Sequence, residues 1–283
     1  MTRRYALLLS LSAPVVAQVK TQSQPHPDGP VQWSPRVVFP GAPILFQSKS
    51  WSGPANWLGK TIEFRPDGGV FSALAGVNLN RTPGRYPLVF GGTTVEVTVT
   101  GHAYPSSTIT VPQKFVEPPQ EVQVQIDEEI AIKRRVFQSS PAERLWQGPF
   151  VAPTNTGYTS SFGSRRVYNG KTRNVHQGLD YSAAMGTPVT AANSGRIAIA
   201  RDMYFEGGFI VIDHGESIFT LYMHLSEFLV KEGAAIEKGA LIAKSGSSGR
   251  ATGPHLHYGV QWQGAYLEPS TLPGLWRGGI AHG

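Results

Sequence analysis

Turn signals cut this chain into short apolar runs, and that restricts it to folds built mostly of strands. Between about Arg36 and Thr100 the runs "RVVF", "APILFQS", "TIEFRPDGG", "FSALAGVNL", "TPGRYPLVFGG" and "TTVEVTVTG" follow one another, separated by Pro-Asp-Gly-Gly, Pro-Gly and similar turn formers. "TTVEVTVT" alternates with period two, as a half-buried strand does. Short strands at this spacing predict an immunoglobulin-like β-sandwich over residues 35–101. The second half has the same texture: "GTPVTAANSGRIAIARD", "GGFIVIDHG", "SIFTLYMHLS", "GALIAKSGSSG" and "PHLHYGVQW" carry almost no helical periodicity. They predict a C-terminal, largely antiparallel β-sheet domain over 148–275, followed by a tail at 276–283. The 32 glycines and 22 prolines of the 283 residues supply the turns that two such domains need.

One stretch departs from this pattern. "PPQEVQVQIDEEIAIKRRVFQSS" has its acids early and its bases late, which complements a helix dipole, and predicts a helix from Glu121 to Phe137. It falls in a linker at 102–147 that joins and positions the two domains. The expected fold class is therefore mainly β: an N-terminal immunoglobulin-like sandwich, a helical linker and a C-terminal antiparallel β-sheet domain.

The first residues, "MTRRYALLLSLSAPVVAQV", have a basic head at Arg3 and Arg4, an apolar stretch from Tyr5 to Val16 and small residues at Val15 and Ala17. That layout predicts a signal peptide over 1–17 and an exported protein of the periplasm, cell envelope or extracellular space. The apolar stretch is shorter than the roughly 20 residues of a spanning helix, so no membrane anchor is expected after cleavage. Residues 18–34 are polar and proline-containing and read as an extended lead-in.

A net charge of +6 is spread over both halves, with no basic block of the kind that binds nucleic acid, and suits an anionic polymer such as a cell wall. The absence of cysteine removes disulfides and thiolate chemistry and leaves His, Asp and Glu as metal ligands.

Four of the eight histidines carry no site signal. His26, His102 and His282 lie in polar lead-in, linker and tail, and His214 lies in the "IDHGES" turn. The other four fall in or beside predicted strands. "GPHLHYGV" puts His255 and His257 on one strand face, with Leu256 and Tyr258 on the other. Two imidazoles on one face need partners, or a shared metal or substrate. "HQGLD" sets His176 and Asp180 four apart, a spacing that lets both face one side. Together they offer the nitrogen and oxygen ligands that zinc favours, three from the protein with one open position in catalytic sites. The glutamate of the helical HExxH signature is lacking, and the residues alone do not choose which histidines are ligands.

"SSFGSRR", "HQGLDY", "LYMHLS" and "EGAAIEKGALIAKSGSSGRATGPHLHYGV", in that order, resemble the LytM/lysostaphin-type zinc endopeptidases of the M23 family over about residues 148–270, roughly half the chain. The preceding sandwich resembles the β-domain of some secreted bacterial members. The resemblance implies one zinc ion held by His176, Asp180 and His257, with His255 off the metal as general base and His224 as the other catalytic histidine. The exchange of roles between His224 and His255 stays open. It further implies hydrolysis of peptide bonds in peptidoglycan crosslinks during wall remodelling, glycine bridges or bonds between D-alanine and a diamino acid. "SGSSGRATG" is expected to wall the substrate groove, Arg165 of the FGxR element to fix a loop or meet substrate, and Tyr168 and Tyr181 to lie near the metal or pack.

Two other classes share parts of this pattern. A catalytically silent wall-binding regulator or activator of another hydrolase is disfavoured by the five filled positions. A cupin would place a glutamate shortly after HxH, whereas here the next carboxylate is Glu268.

Overall fold

The computed structural model describes residues 30–278. The expected signal segment, the lead-in up to residue 29, His26 and His282 lie outside the described residues. Among the described residues no helix is long and apolar enough to cross a membrane.

The alternating runs of the first half become β1 (Gln32–Ser34), β2 (Pro43–Ser48), β3 (Pro54–Trp57), β4 (Lys60–Glu63), β5 (Arg65–Asp67), β6 (Val70–Gly76), β7 (Gly84–Phe90) and β8 (Thr93–Val99). They form two four-stranded sheets, ordered β1-β2-β6-β5 and β4-β3-β7-β8. This is the strand order of an immunoglobulin-type sandwich, ABED against C′CFG. Two further marks of that fold are present. Trp57, on the third strand, is fully buried against Phe46 of the opposite sheet, ring centroids 5.4 Å apart. Tyr86, near the start of β7, donates its hydroxyl back to the Thr82 carbonyl at 2.8 Å.

The linker holds β9 (Ser106–Ile109) and α1 (Gln123–Gln138), the latter entered through a 3-10 turn at Gln120–Val122. The helix starts two residues later and ends one residue later than its charge pattern predicted. Its Ile132, Val136 and Phe137 pack on Phe209, Phe219 and Leu221 of the C-terminal sheet. Both Glu129 carboxylate oxygens accept from the Tyr204 amide, at 3.0 and 2.9 Å, and Lys133 pairs with Glu206.

The C-terminal strands are β10 (Tyr158–Ser160), β11 (Arg165–Tyr168), β12 (Thr172–Val175), β13 (Leu179–Tyr181), β14 (Pro188–Thr190), β15 (Gly195–Met203), β16 (Gly207–Asp213), β17 (Ile218–Phe228), β18 (Ala235–Ile236), β19 (Leu241–Ser245), β20 (Leu256–Trp262) and β21 (Ala265–Leu267). The main sheet runs β10-β13-β20-β17-β16-β15-β18, with β19, β14 and β21 off its path. β11 pairs instead with β12 and, in parallel, with β9, so the linker supplies an edge strand beside the main sheet. The main sheet is buried on both faces. Leu256, Tyr258 and Val260 join the core shared with the sandwich, while Phe219, Leu221 and Met223 face α1.

The two domains share that core, which runs from Phe46 and Trp57 of the sandwich to Trp146, Trp262 and Leu267. Polar groups close the seam. Arg144 meets Glu216 at 3.0 Å, donates to the Ser72 hydroxyl and carbonyl at 3.0 and 2.7 Å, and lies 4.0 Å over the Trp146 ring. Replacing one partner of a buried ion pair leaves the other desolvated, so Arg144→Ala is expected to destabilise the protein by about 3 kcal/mol. Lysine cannot reproduce the forked contacts and is expected to restore little. Urea unfolding reads both changes; an unshifted midpoint for Arg144→Ala rules out a structural role for the seam.

Candidate metal centre and active site

The antiparallel pairing of β13 with β20 sets Asp180 directly opposite His257, so their side chains rise from the same face. His176, the first residue after β12, reaches the same point. His176 Nε2, Asp180 Oδ1 and His257 Nδ1 are mutually 2.9 Å apart, and all three residues are buried. Such a triangle of acceptors needs a cation or protons at its centre. The His176 Nδ1–H donates to the Ser161 carbonyl at 2.9 Å, which leaves Nε2 as a lone pair in the neutral ring. Two imidazole nitrogens and one carboxylate oxygen therefore fit a divalent ion, with second partners that orient the ligands. These are the described residues whose donor atoms cluster as a metal site.

Burial alone would push the Asp180 carboxyl up, but hydrogen bonds from His176 and His257 and their charge hold it well below the ordinary carboxylate range. Its second oxygen is taken by Arg166 at 2.5 Å. Burial drives His257 down to about 4, so the ring is neutral at physiological pH, the form that ligates.

His255 and His224 flank the triangle. His255 sits just before β20 and is bridged to Gly246. Its Nδ1–H donates to the Gly253 carbonyl at 2.8 Å, and its Nε2 is 3.9 Å from Asp180 Oδ1. His224 lies where β17 changes partners: Met223 pairs with His257 and Leu225 with Ser245. On the other side the register slips between Tyr222 and Leu225, a β-bulge that places His224 at φ +64. Bulges re-aim side chains, and this one brings the His224 ring centroid to 4.7 Å from that of His255. The His224 amide donates to the Glu206 carbonyl and its Nδ1–H to the Ser248 carbonyl, at 2.9 and 2.8 Å. Burial, then the neighbouring His255 and His257, push His224 down to about 3.

All five residues singled out in the sequence thus line one groove of about 780 Å³. The linker lines it too, with Ile109 of β9, Val111 just beyond it, and Ile130 and Lys133 of α1. The sequence missed several contributors. Of the two arginines in "FGSRR" it pointed to Arg165, which is exposed, whereas Arg166 reaches Asp180. Gly178 carries no signal in "HQGLD", yet a Cβ there would stand 2.4 Å from His257 Nε2 and 2.6 Å from the Tyr258 carbonyl oxygen. Tyr181 and Tyr168 are both buried. His214, read as a turn residue, is fully buried; its two ring nitrogens address the Ser194 carbonyl and Thr220 hydroxyl, each at 2.7 Å.

Residues 174–269 match the family model described as Peptidase family M23, and they constitute a domain of that family. Among curated proteins, the chain is 36% identical over 126 residues to the peptidoglycan DD-endopeptidase ShyA of Vibrio cholerae, covering 44% of this chain and 27% of that protein. It is 40% identical over 117 residues to the DD-carboxypeptidase/endopeptidase Mpg of Neisseria meningitidis serogroup B, covering 41% of this chain and 27% of the relative. The chain thus spans about a quarter of the length of these relatives. The crystal structure of a Pseudomonas aeruginosa protein assigned to peptidase M23 shares the fold, with a TM-score of 0.64 at 23% identity, over 84% of this chain and 95% of that one.

Proposed function

We propose that this protein is a zinc-dependent endopeptidase that cuts peptide bonds in peptidoglycan crosslinks, working in the periplasm or cell envelope. The observation that carries the reading is the convergence of His176, Asp180 and His257 on one point of a groove that also holds two further histidines. Three protein ligands of nitrogen and oxygen type, with an open side toward a groove, are the pattern of catalytic rather than structural zinc. When bound, zinc supplies Lewis acidity, polarising a scissile carbonyl and lowering the pKa of a water to about 7. Arg166 holds the outer oxygen of Asp180 and so fixes which oxygen faces the ion.

With Nδ1 committed to a backbone carbonyl in each case, His255 and His224 both leave Nε2 as the ring nitrogen available to the reaction. His255, with Nε2 3.9 Å from Asp180 Oδ1 and less buried than His224, is the general base that takes the nucleophile's proton at Nε2. His224, kept neutral by burial and with its ring centroid 4.7 Å from that of His255, takes that proton from His255 and delivers it to the departing amine as the peptide C–N bond breaks. ShyA is named a peptidoglycan DD-endopeptidase and Mpg a DD-carboxypeptidase/endopeptidase, which supports the same substrate.

Incubating the protein with purified sacculi, with and without a chelator, tests the reading. New amines and shortened crosslinks are expected, abolished by chelation and restored by added zinc. Cleavage that ignores the chelator, or none by zinc-loaded protein, overturns it.

A further inference from the structure

Three lysine or arginine side chains line the groove. Lys133 is paired with Glu206 and Arg166 with Asp180. Arg250 has no carboxylate within ion-pairing distance among the described residues. Its guanidinium lies instead over two rings, 4.7 Å from the centroid of Tyr168 and 5.0 Å from that of Phe205. Aromatic faces of this kind fix the plane of a guanidinium while leaving its N–H donors unspent.

The position is built from several elements. Tyr168 and Phe205 belong to a small apolar cluster completed by Val111 and Phe115 of the linker. The Arg250 amide donates to the Phe205 carbonyl at 2.8 Å. The preceding Gly249 has φ +68, and a Cβ there would stand 2.3 Å from the Gly207 amide nitrogen, so the loop runs this close only with glycine. Two residues before Arg250, the Ser248 carbonyl orients His224. A half-buried guanidinium stacked on two rings in the groove that also holds the proposed catalytic pair, with no protein acceptor among the described residues, matches a planar anion that takes two parallel N–H bonds.

We propose that Arg250 is a specificity residue that binds a free carboxylate on the substrate peptide, carried by a residue flanking the scissile bond on the His224–His255 side. The inference rests on the peptidase reading above and narrows it, because it favours crosslinks bearing an acidic group over uncharged glycine bridges.

Two crosslinked peptides, identical except that this carboxylate is free in one and amidated in the other, provide the test. Zinc-loaded wild-type protein is expected to prefer the acid by roughly 10- to 100-fold in kcat/KM. Arg250→Gln is expected to erase the preference, chiefly through KM on the acid, with zinc content unchanged; Arg250→Lys should keep part of it. Equal wild-type rates on both peptides, or an equal loss on both in Arg250→Gln, overturns the proposal. Calorimetric titration of both peptides into zinc-loaded His255→Ala protein, with and without Arg250→Gln, separates this from failure of the peptidase reading, since it needs no turnover. Tighter binding of the acid that disappears with Arg250 supports the assignment, and equal binding or none overturns it.

Discussion

His257→Ala is expected to leave the protein unable to retain zinc through dialysis, while His255→Ala retains one zinc per chain and loses about 10²- to 10⁴-fold in turnover. The two residues are neighbours on one strand face, so a generic histidine-pair effect would treat them alike. Their surroundings differ. His257 Nδ1 completes the 2.9 Å triangle with His176 and Asp180, whereas His255 Nε2 stands 3.9 Å from the carboxylate and its other nitrogen is spent on the Gly253 carbonyl. Metal content by atomic spectroscopy and crosslink cleavage on the same preparations read both halves, with circular dichroism to check the fold. Equal loss of metal from both variants means that the division of roles is wrong.

Gly178→Ala is expected to weaken zinc binding at least about 10-fold without touching any ligand atom. Its clash is one of space, and the atoms it meets have nowhere to go: the His257 ring at 2.4 Å is fixed by the triangle, and the Tyr258 carbonyl at 2.6 Å belongs to β20. Either the ring tilts out of register with His176 and Asp180 or the β13–β20 pairing opens, and overpacking of this kind costs about 1–3 kcal/mol. Gly157→Ala, at an exposed glycine with no atom within 4 Å of the added Cβ, is the control and should change neither property. Wild-type zinc affinity in Gly178→Ala, measured by chelator competition, contradicts this account.

The parts of the site that were legible in the sequence are those governed by strand periodicity. His255 and His257 could be placed on one face because a strand alternates strictly, and the structure sends Leu256 and Tyr258 to the opposite core. The sandwich was legible for the same reason, from runs such as "TTVEVTVT". The choice between Arg165 and Arg166 was not. A one-residue step in a strand reverses the face, and nothing in "FGSRR" says which arginine turns toward Asp180. His224 owes its aim to a bulge and a positive φ that leave no mark in "LYMHLS". Contacts between residues far apart in the chain were equally hidden. The parallel pairing of β9 with β11 and the Arg250 platform it helps to build depend on the folded chain returning on itself.

The shared core has a consequence for how such a molecule can be altered. Because Gln263 reaches the Thr61 carbonyl, the Glu268 amide reaches the Gly41 carbonyl and Trp57 and Trp262 belong to one apolar cluster, the sandwich is not a cassette that can be exchanged for another module. Cutting it away would strip the back of the catalytic sheet and expose the side chains that hold β20 in place. Any addressing information that the sandwich carries must therefore be written on its outer surface, where residues can change while the inner one stays locked to the sheet that positions His257.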